Sequence, residues 1–144
     1  MNREEIKNIL PHREPMLLVD EAFENEDGTA TAYYNVRGDE FFLQGHFPGN
    51  PIVPGVIQCE MMAQSACILF KDKMSGKNVT PVYTGLDKVR FRNMIKPGDR
   101  IRIDTKILKV CHPMYQLHGE VTVEGKKCMS GDFSFALVEA KEGE

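Results

Sequence analysis

One carboxylate stands inside an apolar helical segment of this 144-residue chain. Residues 56–74 read VIQCEMMAQSACILFKDKM, and Glu60 is the fifth of them. A carboxylate is costly to bury as an anion unless it is paired, so burial is expected to raise the pKa of Glu60 towards that of a general acid. The alternative is an exposed Glu60 on a polar stripe. Gln64, one turn further on, is expected either to hydrogen-bond this carboxylate or to be an ordinary satisfied amide.

A histidine is the second candidate. His46 lies in the run QGHFPGNPIVPG at residues 44–55, whose three prolines and three glycines predict a stiff loop. An imidazole with a pKa near 6.5 is a natural proton acceptor, and a rigid frame would fix it before the reaction. The other interpretation is a structural histidine that bonds a loop carbonyl. His12, His112 and His118 are interpreted as structural.

Gly55 precedes the helical segment and is the third candidate. Free N–H groups and the helix dipole favour negative charge at a helix N-terminus, so this N–H could hold a carbonyl or enolate oxygen. The chain contains no G-x-S-x-G, G-x-G-x-x-G or P-loop motif, and no cluster with metal-ligand spacing. A histidine with a carboxylate therefore favours proton transfer next to a carbonyl, with no metal and no cofactor.

The pattern around these residues predicts a single α+β domain over residues 1–144, with a polar, flexible tail at 139–144. The long helix is apolar on almost every face, so it needs a curved antiparallel sheet around it, and a dimer would bury what the sheet leaves exposed. The predicted elements are a helix over Asn2–Leu10, a strand or buried extended piece over Met16–Val19, the helix over Val56–Met74, and strands over Thr29–Val36, Val82–Asn93, Ile101–Val110, Tyr115–Val123 and Lys127–Val138.

Charge and composition exclude several functions. The formal net charge is −3, no apolar run approaches a membrane span, and the acidic N-terminus is unlike a signal peptide. These features predict a cytoplasmic protein that binds neither nucleic acid nor membrane. Lys88, Arg90 and Arg92 alternate with apolar residues, so they are expected to share one sheet face. This basic patch either docks an acidic partner or is ordinary solvated charge.

Several motifs together resemble the FabZ type of β-hydroxyacyl-acyl-carrier-protein dehydratases. The similarity extends from about residue 5 to residue 138. It is carried by Leu10-Pro11-His12-Arg13, Leu17-Leu18-Val19-Asp20, Gly45-His46-Phe47-Pro48-Gly49-Asn50-Pro51, Pro54-Gly55-Val56, Glu60, Met62-Ala63-Gln64, Lys88-Val89-Arg90-Phe91-Arg92 and Pro97-Gly98-Asp99.

The resemblance implies a hotdog fold and a hydro-lyase of fatty acid biosynthesis that converts (3R)-hydroxyacyl chains on acyl carrier protein to trans-2-enoyl chains. It implies a homodimer, with three dimers forming a hexamer, and places the catalytic roles on His46 and Glu60 from opposite subunits. The thioester carbonyl would be held by the N–H of Gly55. The remaining residues expected to contact substrate are Val56, Phe47 and Gln64, and carrier docking falls on Lys88, Arg90 and Arg92.

Two departures and several alternatives accompany the resemblance. Glu14 stands where a bulky residue is more usual, and residues 111–115 differ from the family's common pattern, so the preferred acyl chain length is open. A dehydratase that also isomerises trans-2 to cis-3 enoyl chains, a hotdog thioesterase and a non-catalytic acyl-binding subunit are the alternatives. Glu rather than Asp at position 60 resembles the non-isomerising branch.

Overall fold

The computed structural model describes residues 1–45, 49–75 and 78–139. The sheet has six antiparallel strands in the order β1-β2-β4-β5-β6-β3. The strands are β1 Glu21–Glu24, β2 Ala30–Asn35, β3 Val79–Phe91, β4 Arg100–Cys111, β5 Met114–Val123 and β6 Lys126–Glu139. The helices are α1 Arg3–Ile6, α2 Gly55–Ala66 and α3 Lys71–Met74, with 3-10 turns at Phe41–Leu43 and Cys67–Phe70.

Helix α2 lies against the concave face of this sheet, which is the hotdog arrangement. Met61, Met62 and Ala66 on the helix are fully buried, and the inward residues of the strands, such as Ile103 and Leu117, are equally inaccessible. Gly119 on β5 lets the helix side chain of Met62 lie close against the strand, because a Cβ at position 119 would be 2.3 Å from the Met62 sulfur. The prediction of a buried helix wrapped by a curved antiparallel sheet is confirmed.

The long helix is not continuous as predicted. Its α-helical part begins one residue early, at Gly55, and ends at Ala66, after which the chain tightens into a 3-10 turn. Phe70 then leaves helical geometry altogether, with φ −117° and ψ 21°. This change accompanies close aromatic packing, since the Phe70 ring centroid lies 4.5 Å from that of Tyr115 and 5.2 Å from that of Phe135.

The N-terminal segment is shorter than predicted but capped as its sequence indicates. The side chain of Asn2 accepts from the N–H of Glu5, and the Glu5 carboxylate accepts from the N–H of Asn2, so the capping box is present. Residues 16–19 form no strand, yet Leu17, Leu18 and Val19 are buried. Of the two predicted states for this piece, the buried extended one is correct.

Strand β3 is an edge of the sheet. It is 13 residues long and pairs only with β6, so one side of its backbone has no partner among the described residues. Two register shifts interrupt this pairing, between Tyr83 and Gly85 and between Asp87 and Arg90. A long edge strand of this kind is a template for pairing with another chain.

Candidate active site

Glu60 lies in the second turn of α2 and is half-buried, with 25% of its side chain exposed. Its Oε1 atom receives two contacts: Gln64 Nε2 donates to it at 3.0 Å, and His12 Nε2 lies 3.2 Å away. Neither donor reaches Oε2, which has no hydrogen-bond partner within the described ranges. The arrangement fixes the carboxylate through one oxygen and leaves the other available.

Gln64 is almost completely buried, with 2% of its surface exposed. Besides the bond to Glu60, its Nε2 donates to the carbonyl of Met16 at 2.7 Å, and its Oε1 accepts from the N–H of Leu18 at 2.8 Å. The hydrogen bond to Glu60 that helical spacing allows is therefore present. The amide also ties the segment over residues 16–19, which has no strand partner, to the central helix.

The ionisation of Glu60 differs from the sequence-based expectation. Desolvation raises the carboxyl pKa, as expected, but hydrogen bonds from His12 and Gln64 and the charge of His12 outweigh it and lower the pKa below its ordinary value. In this protomer Glu60 is therefore an anion at neutral pH. The prediction of a raised pKa is wrong, because the sequence did not reveal His12 as a second donor beside Gln64.

His12 was interpreted from the sequence as a structural loop residue, and it contacts the candidate carboxylate. Its loop is held by Arg13, whose guanidinium donates to the carbonyls of Leu10 and Lys7. The other ring nitrogen, Nδ1, is buried and has no hydrogen-bond partner among the described residues. The only sequence signal was the position of His12 within the Leu10–Arg13 motif, since it lies far from Glu60 along the chain.

Gly55 and Val56 begin α2 at a different cavity. This apolar groove has a volume of about 550 Å³ and is lined by Ile52, Val53, Pro54, Gly55, Val56, Gln58, Phe91, Arg92, Asn93 and Met94. Val56 is 77% exposed, and Phe91, whose ring covers Gly55, is 54% exposed. With Met94, which is 60% exposed, these side chains form an exposed apolar patch on one groove, and such patches mark interaction sites.

The candidate residues that the structure describes line two different cavities of one protomer. Glu60 and Gln64 line a small cavity of about 20 Å³ with His12, Pro81, Tyr83 and Phe135, none of which reaches the groove at Gly55. Tyr83 closes this cavity with a hydroxyl that donates to the carbonyl of Cys59, and burial raises the pKa of that phenol. His46 and Phe47 lie outside the described residues.

The predicted basic patch is interrupted by the bulge in β3. Lys88 adopts a positive φ of 53°, and its neighbour Val89 packs against Gly131 where the register shifts. The prediction that Lys88, Arg90 and Arg92 share one sheet face by simple alternation is therefore wrong. All three are exposed, however, and none makes a salt bridge with a carboxylate of the described residues.

Comparison with known proteins identifies the family. A sequence profile of the FabA-like domain matches residues 10–132. A protein named 3-hydroxyacyl-acyl-carrier-protein dehydratase FabZ from Clostridium perfringens (strain SM101) is 43% identical over 137 residues, covering 95% of this chain and 99% of the relative. The chain belongs to the FabZ branch of the FabA-like family. A FabZ protein from Petrotoga mobilis is 46% identical over 138 residues, covering 95% of this chain and 98% of the relative.

Solved structures agree on the fold. The dehydratase heterocomplex ApeI:P from Xenorhabdus doucetiae superposes with a TM-score of 0.79 at 20% identity, covering 96% of this chain and 93% of the other. An uncharacterised protein from Pyrococcus horikoshii superposes with a TM-score of 0.65 at 19% identity and 88% coverage of both chains. At these identities the likeness establishes the hotdog fold of this FabZ family member.

No group of three or more His, Cys, Asp or Glu side chains among the described residues is placed to hold a metal ion. No helix within the same ranges is both long enough and apolar enough to cross a membrane.

Proposed function

We propose that this chain is a hydro-lyase that dehydrates 3-hydroxyacyl-acyl carrier protein to the trans-2-enoyl form in fatty acid biosynthesis. One observation carries the proposal: a carboxylate fixed by two donors stands on the central helix of a chain that matches FabZ dehydratases along 95% of its length. This reaction removes a proton from the α carbon and the hydroxyl group from the β carbon, and it requires no cofactor.

The proposed roles follow the chemistry of each group. His46 takes the proton α to the thioester carbonyl, because a neutral imidazole is the suitable base at physiological pH. The N–H of Gly55 hydrogen-bonds the carbonyl oxygen as negative charge develops on it. Helix α2 supports this role because it has 12 residues and, among the described residues, no side chain caps its N-terminus, so the N–H groups of Gly55 and Val56 are available there.

Glu60 assists the departure of the hydroxyl, directly or through a held water. Its lowered pKa means that the free protomer presents an anion, which can accept a hydrogen bond but cannot donate one. An acyl chain lying over the carboxylate removes further water from it, and that loss raises the pKa again. Substrate binding thereby shifts Glu60 towards the protonated form that can release the hydroxyl as water.

A homodimer would bring the separate groups together. Gly55 and Glu60 line different cavities of one protomer, and β3 offers a long unpaired edge beside exposed apolar side chains. Pairing of two β3 edges would continue the sheet and cover Phe91 and Val56. The Gly55 end of one protomer, with His46, would then face Glu60 of its partner. Assembly of three such dimers into a hexamer is the further proposal that the family resemblance suggests.

The partner that delivers the substrate would be acidic acyl carrier protein, docked near Arg90 and Arg92 with Lys88 beside them. These cations are exposed and have no salt-bridge partner among the described residues, whereas Arg100 and Arg102 pair with Glu21 and Asp104. Arg92 also lines the groove at Gly55, so the proposed docking surface lies beside that groove. We propose the cytoplasm as the location of this reaction.

The test is hydration of a trans-2-enoyl thioester, the reverse reaction, followed as the loss of conjugated absorbance. The wild-type chain, His46→Ala and Glu60→Gln are compared on short and long acyl chains. We expect an active wild type and losses of about 10²–10⁴-fold in each variant, the range that general acid–base groups contribute.

Circular dichroism serves as the folding control for both variants. A wild type that hydrates neither short nor long enoyl chains would contradict the enzyme assignment. Release of free thiol in place of hydration would identify a thioesterase, and a cis-3 product from a ten-carbon substrate would identify an isomerase.

A further inference from the structure

We infer that His12 is a positioning residue for Glu60: its imidazole holds one carboxylate oxygen so that the other faces the substrate. The inference rests on the proposed dehydratase function and adds a residue to that site. It begins from a single contact, the 3.2 Å separation between His12 Nε2 and Glu60 Oε1.

Two donors converge on the same oxygen. Gln64 Nε2 approaches Glu60 Oε1 from the next turn of α2, and His12 approaches it from the loop that follows α1. A carboxylate held by one donor can rotate about its last torsion, whereas two donors from different elements fix its plane. Because both act on Oε1, Oε2 is the oxygen left to meet a β-hydroxyl or a water.

Only one of the two ring nitrogens of His12 has a hydrogen-bond partner among the described residues. Nδ1 is buried without a partner among the described residues, so Nε2 is the nitrogen that makes the contact. The contact therefore requires a proton on Nε2, which donates to the carboxylate. A histidine whose role was only to hold its own loop would bond a loop carbonyl, and in this loop Arg13 makes those bonds.

The backbone around His12 is fixed to the core. Leu10 and Leu17 on either side of the loop are buried, and Gln64 binds the backbone at Met16 and Leu18. The imidazole therefore reaches Glu60 from a rigid support, and its position does not depend on an exposed side chain finding one rotamer. Such preorganisation is what places a catalytic group at little entropic cost.

Two substitutions distinguish a positioning role of the His12 side chain from a role in packing alone. His12→Leu removes the donor and keeps most of the volume, whereas His12→Gln places an amide N–H near the position of Nε2. We expect kcat on an enoyl thioester to fall about 10- to 100-fold in His12→Leu with KM little changed, because a misplaced catalytic group costs rate. His12→Gln should recover most of the loss.

The pH profile provides a readout that packing alone would not change. Loss of the His12 donor should raise the pKa of Glu60, so the limb of the pH–rate profile that titrates Glu60 should move to higher pH in His12→Leu and return in His12→Gln. A ¹³C NMR titration of glutamate-labelled protein measures the same pKa without any turnover, with Glu60→Gln identifying the resonance.

His118→Leu is the matched control. His118 Nδ1 lies 2.7 Å from the Asp132 carboxylate on the outer side of the sheet, so this variant removes another histidine–carboxylate pair away from the site. It should leave kcat and the Glu60 titration unchanged. Wild-type behaviour of His12→Leu, or a rate loss with an unmoved Glu60 titration and no recovery in His12→Gln, would overturn the inference. An inactive wild type whose Glu60 titration still shifts in His12→Leu would instead refute the proposed function.

Discussion

The ring of Phe91 lies directly over the α-carbon of Gly55, so closely that a Cβ at position 55 would be 2.7 Å from Cζ of Phe91. Real Cβ contacts do not occur at that distance, so any side chain at position 55 must displace the ring. Phe91 is exposed at the end of β3 and free to move outward. Glycine at position 55 thus allows the close approach of the Phe91 ring, and its own backbone angle does not call for a glycine.

The Gly55→Ala variant should therefore fold normally and have a reduced kcat/KM. Alanine at the start of α2 costs nothing in helix propensity, so we expect an unchanged or slightly raised Tm. The displaced ring narrows the groove at the helix N-terminus, and we expect kcat/KM to fall by about 10-fold or more, as when an oxyanion donor is obstructed. Phe91→Leu combined with Gly55→Ala should recover part of this loss in a double-mutant cycle. Additive effects of the two substitutions would contradict the steric explanation.

Gln64→Leu should destabilise the protein. The substitution leaves the buried N–H of Leu18 without its acceptor, and an unsatisfied buried donor costs about 1–3 kcal/mol in the free energy of unfolding. Urea denaturation measures the change. Gln58→Leu is the control, since the Gln58 amide is also buried but its Oε1 already has no partner among the described residues and its one bond is 3.3 Å long. An equal loss in both variants would show that the amide bonds of Gln64 are not the cause.

Glu60→Gln should change how stability depends on pH. The folded-state pKa of Glu60 lies below its ordinary value of 4.5, so the ionised form stabilises the fold above that pH. This contribution disappears as the pH falls through the lowered pKa, and Glu60→Gln never has it. The wild type should therefore lose more stability than the variant as the pH falls below about 4.5. Parallel curves from Tm measurements across this range would contradict the lowered pKa.

Much of the fold was predictable because its signals are local. Alternating apolar residues identified β2, β4, β5 and β6, and the run of apolar residues after Gly55 identified the helix that they enclose. The change to a 3-10 turn at Cys67 was not predictable, because it accompanies aromatic neighbours on β5 and β6 that are distant in sequence. The bulge at Lys88 was missed for a similar reason: Val89 and Gly131 pack together across two strands.

The site was predictable only in part. Glu60 and Gln64 are one helical turn apart, so their contact follows from the spacing of a helix. His12 reaches the same carboxylate through tertiary structure, and nothing in its local sequence distinguishes a histidine that supports a loop from one that binds Glu60. The direction of the Glu60 pKa depended on that unseen donor. Local sequence predicts burial well, whereas ionisation depends on every neighbour.

Arg90→Glu should lower the apparent affinity of the protein for carrier-linked substrates. Arg90 is exposed and makes no salt bridge within the described ranges, so reversing its charge should raise KM for acyl carrier protein substrates by about 3- to 10-fold at low salt. The effect should shrink as salt is added, and small thioester analogues should react as before. Arg102→Glu carries the same change of charge at a residue already paired with Asp104, and should have little effect. Equal losses on carrier-linked and small substrates would refute docking at Arg90.

Mixed dimers test whether the two halves of the site come from different protomers. Gly55 and Glu60 line separate cavities of one chain, and the proposed site takes His46 and Gly55 from one protomer and Glu60 from the other. Neither His46→Ala nor Glu60→Gln alone should be active. When both variants are co-expressed with different tags, random pairing makes about half of the dimers mixed, and each mixed dimer has one intact site of two. We therefore expect about a quarter of wild-type activity in the mixture, whether the dimers stay separate or assemble into hexamers. A site built within one protomer would give no recovery, because every chain in the mixture then carries a defective site.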